Sequence, residues 1–343
     1  MPHVSIALVG FGNVGRAFAR LLLRKQSLLK SEYAITFQTT GIATGSHGTA
    51  IDLSGINLER ALSVVEGGQS LQSLSTRPAP ANILDFIRTC PADVLFENSP
   101  VNHTTGQPAI DHLKAALECG MHAITANKGP VVHALPELKS LAVQKKRRFL
   151  FESTVMDGAP IFSLFRGPLP AVELRGFTGI LNSTTNLIFE LMENGRSFDE
   201  AVIYTQQAGL AETDPSQDID GWDAAIKVAA LSTVLMNSPL KPQEVARTGI
   251  RGISAEMIAE ARAVGERWKL VCRARKEGGQ VTARVAPERV GPDSPLYCIE
   301  GTSSYVEFEL DVLPGLGIVE NNPGPETTAY GLLSDLINAA REM

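Results

Sequence analysis

The sequence predicts an α/β chain: a doubly wound, parallel sheet followed by a second domain of α+β type. Three observations predict it. In the first half, short apolar runs alternate with amphipathic stretches at helical spacing. Gly10-Phe11-Gly12-Asn13-Val14-Gly15 stands where the first run meets the first such stretch. In the second half, strand-like and helix-like segments segregate instead of alternating.

Residues 4–9 form the first β-type run, and residues 14–24 carry Val14, Phe18, Leu21 and Leu22 at helical spacing. Residues 34–43 are a second strand, its alternation weakened by several Thr, and residues 93–96 a third. A helix over 110–119, a strand over 121–125, a helix over 135–145 and a short strand over 149–151 complete the alternation. In the second half, residues 172–181, 268–275, 280–285 and 305–310 read as strands. Residues 185–193, 199–208, 220–236 and 255–264 read as helices, and the tail returns to helix over 326–341. The boundary is expected between residues 147 and 160.

The chain has 343 residues, about two domains at roughly 100–200 residues each. Hydrophobic residues make up 44% and charged residues 20%, which excludes a disordered chain. The formal net charge of −6 leaves no global footprint for nucleic acid. No apolar run approaches the roughly 18 residues that cross a bilayer. The N-terminus has no signal-peptide pattern. Cys90, Cys119, Cys272 and Cys298 form no C-x-x-C pair and read as reduced thiols, mostly structural. A cytoplasmic protein with no nucleic-acid or membrane partner is expected.

Glycines in the G-x-G-x-x-G pattern have separate uses: the first permits a tight turn, the second lets a pyrophosphate approach, and the third lets helix and strand pack closely. Between a strand and a helix, Gly10, Phe11, Gly12, Asn13, Val14 and Gly15 therefore read as a dinucleotide cradle at a positive helix end. The second strand ends Thr44-Gly45-Ser46-His47 without the carboxylate that holds the ribose 2′-hydroxyl of NAD. An NADP 2′-phosphate meets no repulsion there, and Thr44, Ser46 and His47 can donate to it. No Arg is present either, so NAD and NADP both stay open.

Lys128 follows the fourth strand and Glu97-Asn98-Ser99-Pro100 the third, at the ends where open α/β sheets bind ligands. A lysine there can polarise a carbonyl or bind an anion, although a solvated loop lysine has the same position. Between Glu212 and Asp223 lie Asp214, Asp218 and Asp220 as well, five carboxylates in twelve residues. Helix capping accounts for Asp220 as N-cap. It does not account for Asp223 and Lys227, one turn apart among Trp222, Ala224, Ala225, Ile226 and Val228. An exposed pair would contribute only a few tenths of a kcal/mol. Facing a cleft, such a lysine can move the proton of an alcohol as hydride leaves its carbon.

These residues resemble homoserine dehydrogenase. The resemblance lies in the glycine loop, Thr125-Ala126-Asn127-Lys128, and Gly179-Ile180-Leu181-Asn182-Ser183-Thr184-Thr185-Asn186, where the family has Gly in place of Ser183. It also lies in the acidic segment ending at Lys227. The motifs keep the family's order over residues 10–335. The resemblance implies a Rossmann-type fold for residues 1–150, completed by residues 320–343, and a substrate-binding and dimerisation domain over 151–319. It implies reversible hydride transfer between L-homoserine and L-aspartate 4-semialdehyde with NAD or NADP, on the route to threonine, methionine and isoleucine.

The same resemblance makes Lys227 the proton-transfer residue and Asp223 its partner at the substrate amino group. Glu212 and Asp214 complete the substrate pocket. Lys128 contacts the substrate or the nicotinamide, and Ser99 joins the cofactor site. Glu152 with the carbonyls of Val155, Asp157 and Ala159 would surround a sodium ion, Asp157 standing where the family has Gly or Ala. Near the C-terminus Gly324-Pro325-Glu326 departs from the family's glycine-rich pattern. Glu326 either meets the nicotinamide ribose or caps the last helix. A homodimer is implied. The chain ends eight residues after Asp335, so aspartokinase or ACT domains, and feedback through them, are not expected. The competing readings are another amino-acid dehydrogenase on this scaffold and a catalytically silent dinucleotide-binding regulator.

Overall fold

The computed structural model describes residues 3–211 and 214–341. In chain order the first half runs β1 (His3–Val9), α1 (Asn13–Glu32), β2 (Thr36–Ala43), β3 (Thr49–Ile51), α2 (Leu58–Glu66), α3 (Ile83–Thr89), β4 (Val94–Glu97), α4 (Ala109–Glu118), β5 (His122–Thr125), α5 (Lys128–Gln144) and β6 (Phe149–Leu150). The second half runs α6 (Ile161–Arg166), β7 (Leu174–Ile180), α7 (Ser183–Glu193), α8 (Phe198–Gln207), α9 (Ser216–Ile219), α10 (Trp222–Leu235), β8 (Ala246–Arg247), α11 (Ala255–Ala263), β9 (Arg267–Glu277), β10 (Gln280–Val290), β11 (Ser304–Leu310), β12 (Leu316–Glu320) and α12 (Pro325–Ala340). Residues 1–160 with 324–343 make one unit and residues 161–323 the other.

The first unit holds a six-stranded sheet in the order β3-β2-β1-β4-β5-β6, parallel except for β3, which runs antiparallel to β2. After β3 the chain returns to the middle of the sheet and lays β4 beside β1. This reversal of strand order opens a crevice at the carboxyl ends of β1 and β4. Asn98 N–H donates to Val9 O (2.7 Å) and ties the end of β4 to that of β1, while Gly10 N–H donates to Ala43 O (2.9 Å) and ties β1 to β2. One sheet face packs Ile6, Leu8 and Phe96 on Phe18 and Leu22 of α1 and Leu332 and Leu336 of α12. The other packs Ala7, Val9 and Leu95 on Phe86 and Ala116. Each fully buried Leu, Ile or Phe contributes about 1.5–3 kcal/mol, so the crevice rests on a rigid floor.

The short β3 and the helices α2 and α3 lie in a stretch the sequence reading leaves without elements. Both helices start on an asparagine N-cap, Asn57 accepting from Arg60 N–H and Asn82 from Asp85 N–H. α5 begins at Lys128, seven residues ahead of the expected start. Asn127 caps it, and Pro130 is tolerated because the first-turn amides have no intrahelical acceptor. The later Pro136 coincides with a kink at Ala134 (φ −141°).

The second unit has its own six-stranded sheet, ordered β12-β11-β7-β9-β10-β8. β9 and β10 form a long hairpin whose turn, Gly278-Gly279, has positive φ at both residues. The helix expected over 220–236 is two pieces. Gly221 takes a left-handed conformation (φ +78°), ends α9 and is itself the N-cap of α10. Asp220 is therefore no N-cap; its carboxylate pairs with Arg251 (2.5 Å). Among the described residues no helix is long and apolar enough to cross a membrane.

Candidate active site

In the first unit the three loop glycines have separate steric reasons. Gly10 has φ +92°, and a Cβ there would run into the carbonyl of Asn98. A Cβ on Gly15 would stand 2.5 Å from Gly10 O, so helix and turn could not close. A Cβ on Gly12 would meet nothing within 4 Å. That glycine faces open space, beside the first amides of α1, which has no side-chain cap. Unpaired N–H groups, a positive helix end and an unobstructed approach suit a pyrophosphate. The residues present fit a dinucleotide.

Thr44 shapes the turn of the β2–β3 hairpin. Its hydroxyl donates to Gly48 O (3.1 Å) and accepts from His47 N–H (2.7 Å). Its one proton thus closes the turn. Ser99 donates its hydroxyl to Glu97 at the end of β4, and Lys128 is the first residue of α5. Glu326 does not cap the helix start. The Thr327 hydroxyl accepts from Gly324 N–H (2.8 Å) and caps α12, while the exposed Glu326 pairs with Arg24 of α1 (3.5 Å).

Glu152, Val155 and Ala159 are buried, and Asp157 sits beside Met156 with both residues at positive φ (45° and 54°). That conformation explains a glycine at this position; aspartate is among the few residues that tolerate it. The Asp157 carboxylate accepts from the Thr328 hydroxyl (2.7 Å), and Glu152 N–H donates to Asp335 (2.8 Å), so the loop is bound to α12. Among the described residues no cluster of three or more His, Cys, Asp or Glu could hold a metal. A site built on backbone carbonyls does not need one.

In the second unit, Lys227 and Asp223 form a close pair on α10. Lys227 Nζ lies 2.9 Å from Asp223 Oδ2 and donates to Leu181 O (2.6 Å). The side chains are 17% and 16% exposed, on a helix whose neighbouring positions are buried Ala, Ile, Val and Leu. Asn182 caps α7 by accepting from Thr185 N–H, and its amide donates to Asp223 Oδ2 (3.0 Å) and Asp218 Oδ1 (2.6 Å). Burial first, and the charge of Asp223 second, push the Asp218 carboxyl up to about 6.

Asp218 and Asn182 thus belong to a cluster that the sequence reading assigned to other residues. Asp214 does not join it. Asp214 is exposed, its carboxylate accepts from Ser216 N–H (3.0 Å), and hydrogen bonding from the Ser216 side chain first and its amide second holds it below the usual range. Glu212 lies outside the described residues. The signal that could have singled out Asp218 is its spacing from Asp223: the intervening Gly221 turns two short helical pieces so that both carboxylates reach one amide.

A dinucleotide cradle and a sheltered lysine–carboxylate cluster define an NAD(P)-dependent oxidoreductase. Residues 160–337 match the family model for homoserine dehydrogenase, and residues 10–152 match that for the homoserine dehydrogenase NAD binding domain. The NAD(+)-dependent homoserine dehydrogenase of Pseudomonas canavaninivorans is 33% identical, over 98% of this chain and 96% of its own. The homoserine dehydrogenase of Methanocaldococcus jannaschii is 35% identical, with 98% of each chain covered. Among solved structures, a hyperthermophilic archaeal homoserine dehydrogenase in complex with NADPH superimposes with a TM-score of 0.83 at 27% identity, covering 100% of this chain and 99% of that one. The chain belongs to the homoserine dehydrogenase family.

Proposed function

We propose that this chain oxidises L-homoserine to L-aspartate 4-semialdehyde reversibly, with Lys227 moving the hydroxyl proton. The observation that carries the reading is the Lys227 ammonium, largely buried, held between Asp223 and the Leu181 carbonyl. A dinucleotide bound at the glycine loop would supply the hydride acceptor for oxidation of the alcohol carbon and the hydride donor for the reverse. In oxidation Lys227 first releases a proton to solvent and then takes the hydroxyl proton as the neutral amine; in reduction the ammonium gives its proton to the aldehyde oxygen. Asp223 orients Lys227, and Asp218 with Asp223 receives the substrate ammonium. Two carboxylates around one lysine leave a negative charge that this ammonium balances. Asn182 holds the two carboxylates close despite their repulsion. Glu212 completes the pocket, and Lys128 and Ser99 serve the nicotinamide end of the cofactor.

Gly10, Phe11, Gly12, Asn13, Val14 and Gly15 take the pyrophosphate. The hairpin that follows β2 carries no carboxylate, which favours acceptance of NADP beside NAD. Glu152 and the carbonyls of Val155, Asp157 and Ala159 are proposed to hold sodium. A homodimer is proposed through the second sheet. Its strand β9 carries Arg273 and Arg275, and its strand β11 Glu309, on one stretch of surface, charges suited to a self-complementary contact. The free thiols of all four cysteines accord with action in the cytoplasm.

One assay tests these points. Absorbance at 340 nm should rise with L-homoserine and NAD or NADP and stay flat with L-serine or L-threonine. It should rise faster in sodium than in choline chloride, and the activity should elute at twice the chain mass. A folded sample inactive on homoserine with both cofactors would sink the proposal.

Asp218 gives the reading a pH signature. Its pKa is raised in the fold, so its contribution to stability is present below the unfolded value near 3.8 and is lost as pH rises through about 6. Asp218→Asn should therefore raise Tm more at pH 8 than at pH 4.5. In the wild type, KM for homoserine should climb as pH falls through 6, because protonation removes the charge facing the substrate ammonium. A KM flat between pH 5 and 8 would remove Asp218 from the substrate site.

A further inference from the structure

We propose that Glu97 is a positioning residue that fixes the two rims of the nucleotide crevice, carrying Ser99 and Lys128, through a closed ring of hydrogen bonds. The proposal rests on the dehydrogenase reading above. Glu97 ends β4 and is fully buried. Its Oε1 accepts from the Ser99 amide (3.2 Å) and hydroxyl, and lies 3.3 Å from His112 Nδ1 of α4. The Thr125 hydroxyl, at the end of β5, lies 2.8 Å from Glu97 O and 3.3 Å from Oε2. Thr125 accepts in turn from Asn127 N–H (2.9 Å). Asn127 closes the ring by donating to Ser99 O (3.2 Å), while its own carbonyl caps α5 at Gly129 N–H (3.0 Å). Lys128 is the next residue.

Packing alone does not call for a carboxylate here. The residues immediately before Glu97 and Thr125 on the two strands, Phe96 and Ile124, are apolar and fully buried. A buried carboxylate is costly unless hydrogen bonds compensate it. What it supplies, and an apolar side chain does not, is two oxygens that serve two chain segments at once. Each segment ends in a residue at the carboxyl end of a strand, where the sheet order places the ligand crevice. The ring therefore sets the distance between the Ser99 rim and the first turn of α5.

The test measures NADPH dissociation constants by fluorescence on the intact chain, together with Tm and steady-state kinetics. Glu97→Gln keeps the shape but turns an amide donor toward groups that already donate. It should raise the NADPH dissociation constant about tenfold, and the cofactor KM with it. His112→Asn keeps a donor near the Nδ1 position and should bind NADPH within about twofold of wild type, whereas His112→Leu should resemble Glu97→Gln. A purely structural role would instead lower Tm and the active fraction and leave the dissociation constant of the folded protein unchanged, and that result would overturn the proposal. If Glu97→Gln does not fold, Thr125→Val against Thr125→Ser decides. Weaker NADPH binding in the valine variant alone supports the ring, and equal binding in both overturns it. Because binding is read without substrate, a wild type that binds NADPH but ignores homoserine would count against the proposed reaction and not against the ring.

Discussion

Lys227→Ala should lower kcat by about 10²–10⁴-fold, the usual range for losing a positioned acid–base group, and leave NADPH binding within about twofold. The cofactor cradle and Lys227 belong to different folding units, so the two readouts are separable. If the lysine were merely half of an i,i+4 surface pair, its loss would cost a few tenths of a kcal/mol and little activity. Its surroundings argue otherwise. The ammonium is largely buried and fixed by two oxygens, and its charge draws down the pKa of nearby Asp218. Removing it leaves Asp218 and Asp223 facing each other without that counter-charge. The Asp218 titration should then move above its present value near 6. Lys227→Arg should not restore turnover, because guanidinium does not give up its proton near neutral pH. Near-wild-type kcat in Lys227→Ala would remove the lysine from the mechanism. Loss of kcat and NADPH binding together would point to misfolding.

Much of this was legible in local pattern. The glycine loop could be read because all its information lies between one strand and one helix. Asp223 and Lys227 could be read because one helical turn brings them onto a common face. Other features depend on contacts far apart in sequence. Asp218 joins the Lys227–Asp223 cluster only because Asn182, the N-cap of α7, draws it to Asp223, a contact across 36 positions. Asp214, by contrast, looked equivalent in the sequence and is spent on its own turn at Ser216. The hairpin strand β3 is three residues long, too short for alternation to register. The early start of α5 was hidden by Gly129-Pro130, a pair that normally breaks helices but is allowed in a first turn. Glu326 had the right position and charge for a helix N-terminus, yet Thr327 takes the cap.

The second large effect separates the glycines by what opposes a side chain. Gly12→Ala should fold with a Tm within a few degrees of wild type, because the new methyl meets no protein atom within 4 Å. Its φ of −76° is accessible to any residue, so backbone strain adds nothing. Loss of glycine at the helix N-cap costs only a modest fraction of the fold's stability. The methyl would, however, occupy the space through which a pyrophosphate reaches the first amides of α1. NADPH binding should weaken about 10–100-fold, or roughly 1.4–2.8 kcal/mol. Gly10→Ala should behave in the opposite order. Its Cβ would collide with the Asn98 carbonyl at a backbone angle of +92°, so Tm should fall before any ligand is considered. The measurement is a pair of thermal melts for each variant, without and with saturating NADPH. Gly12→Ala should show a normal melt that NADPH hardly shifts, because stabilisation by a ligand follows its affinity. If Gly12→Ala melts normally and keeps the full NADPH shift, the space in front of Gly12 is not where the pyrophosphate lies, and the cradle must be sought elsewhere on the crevice.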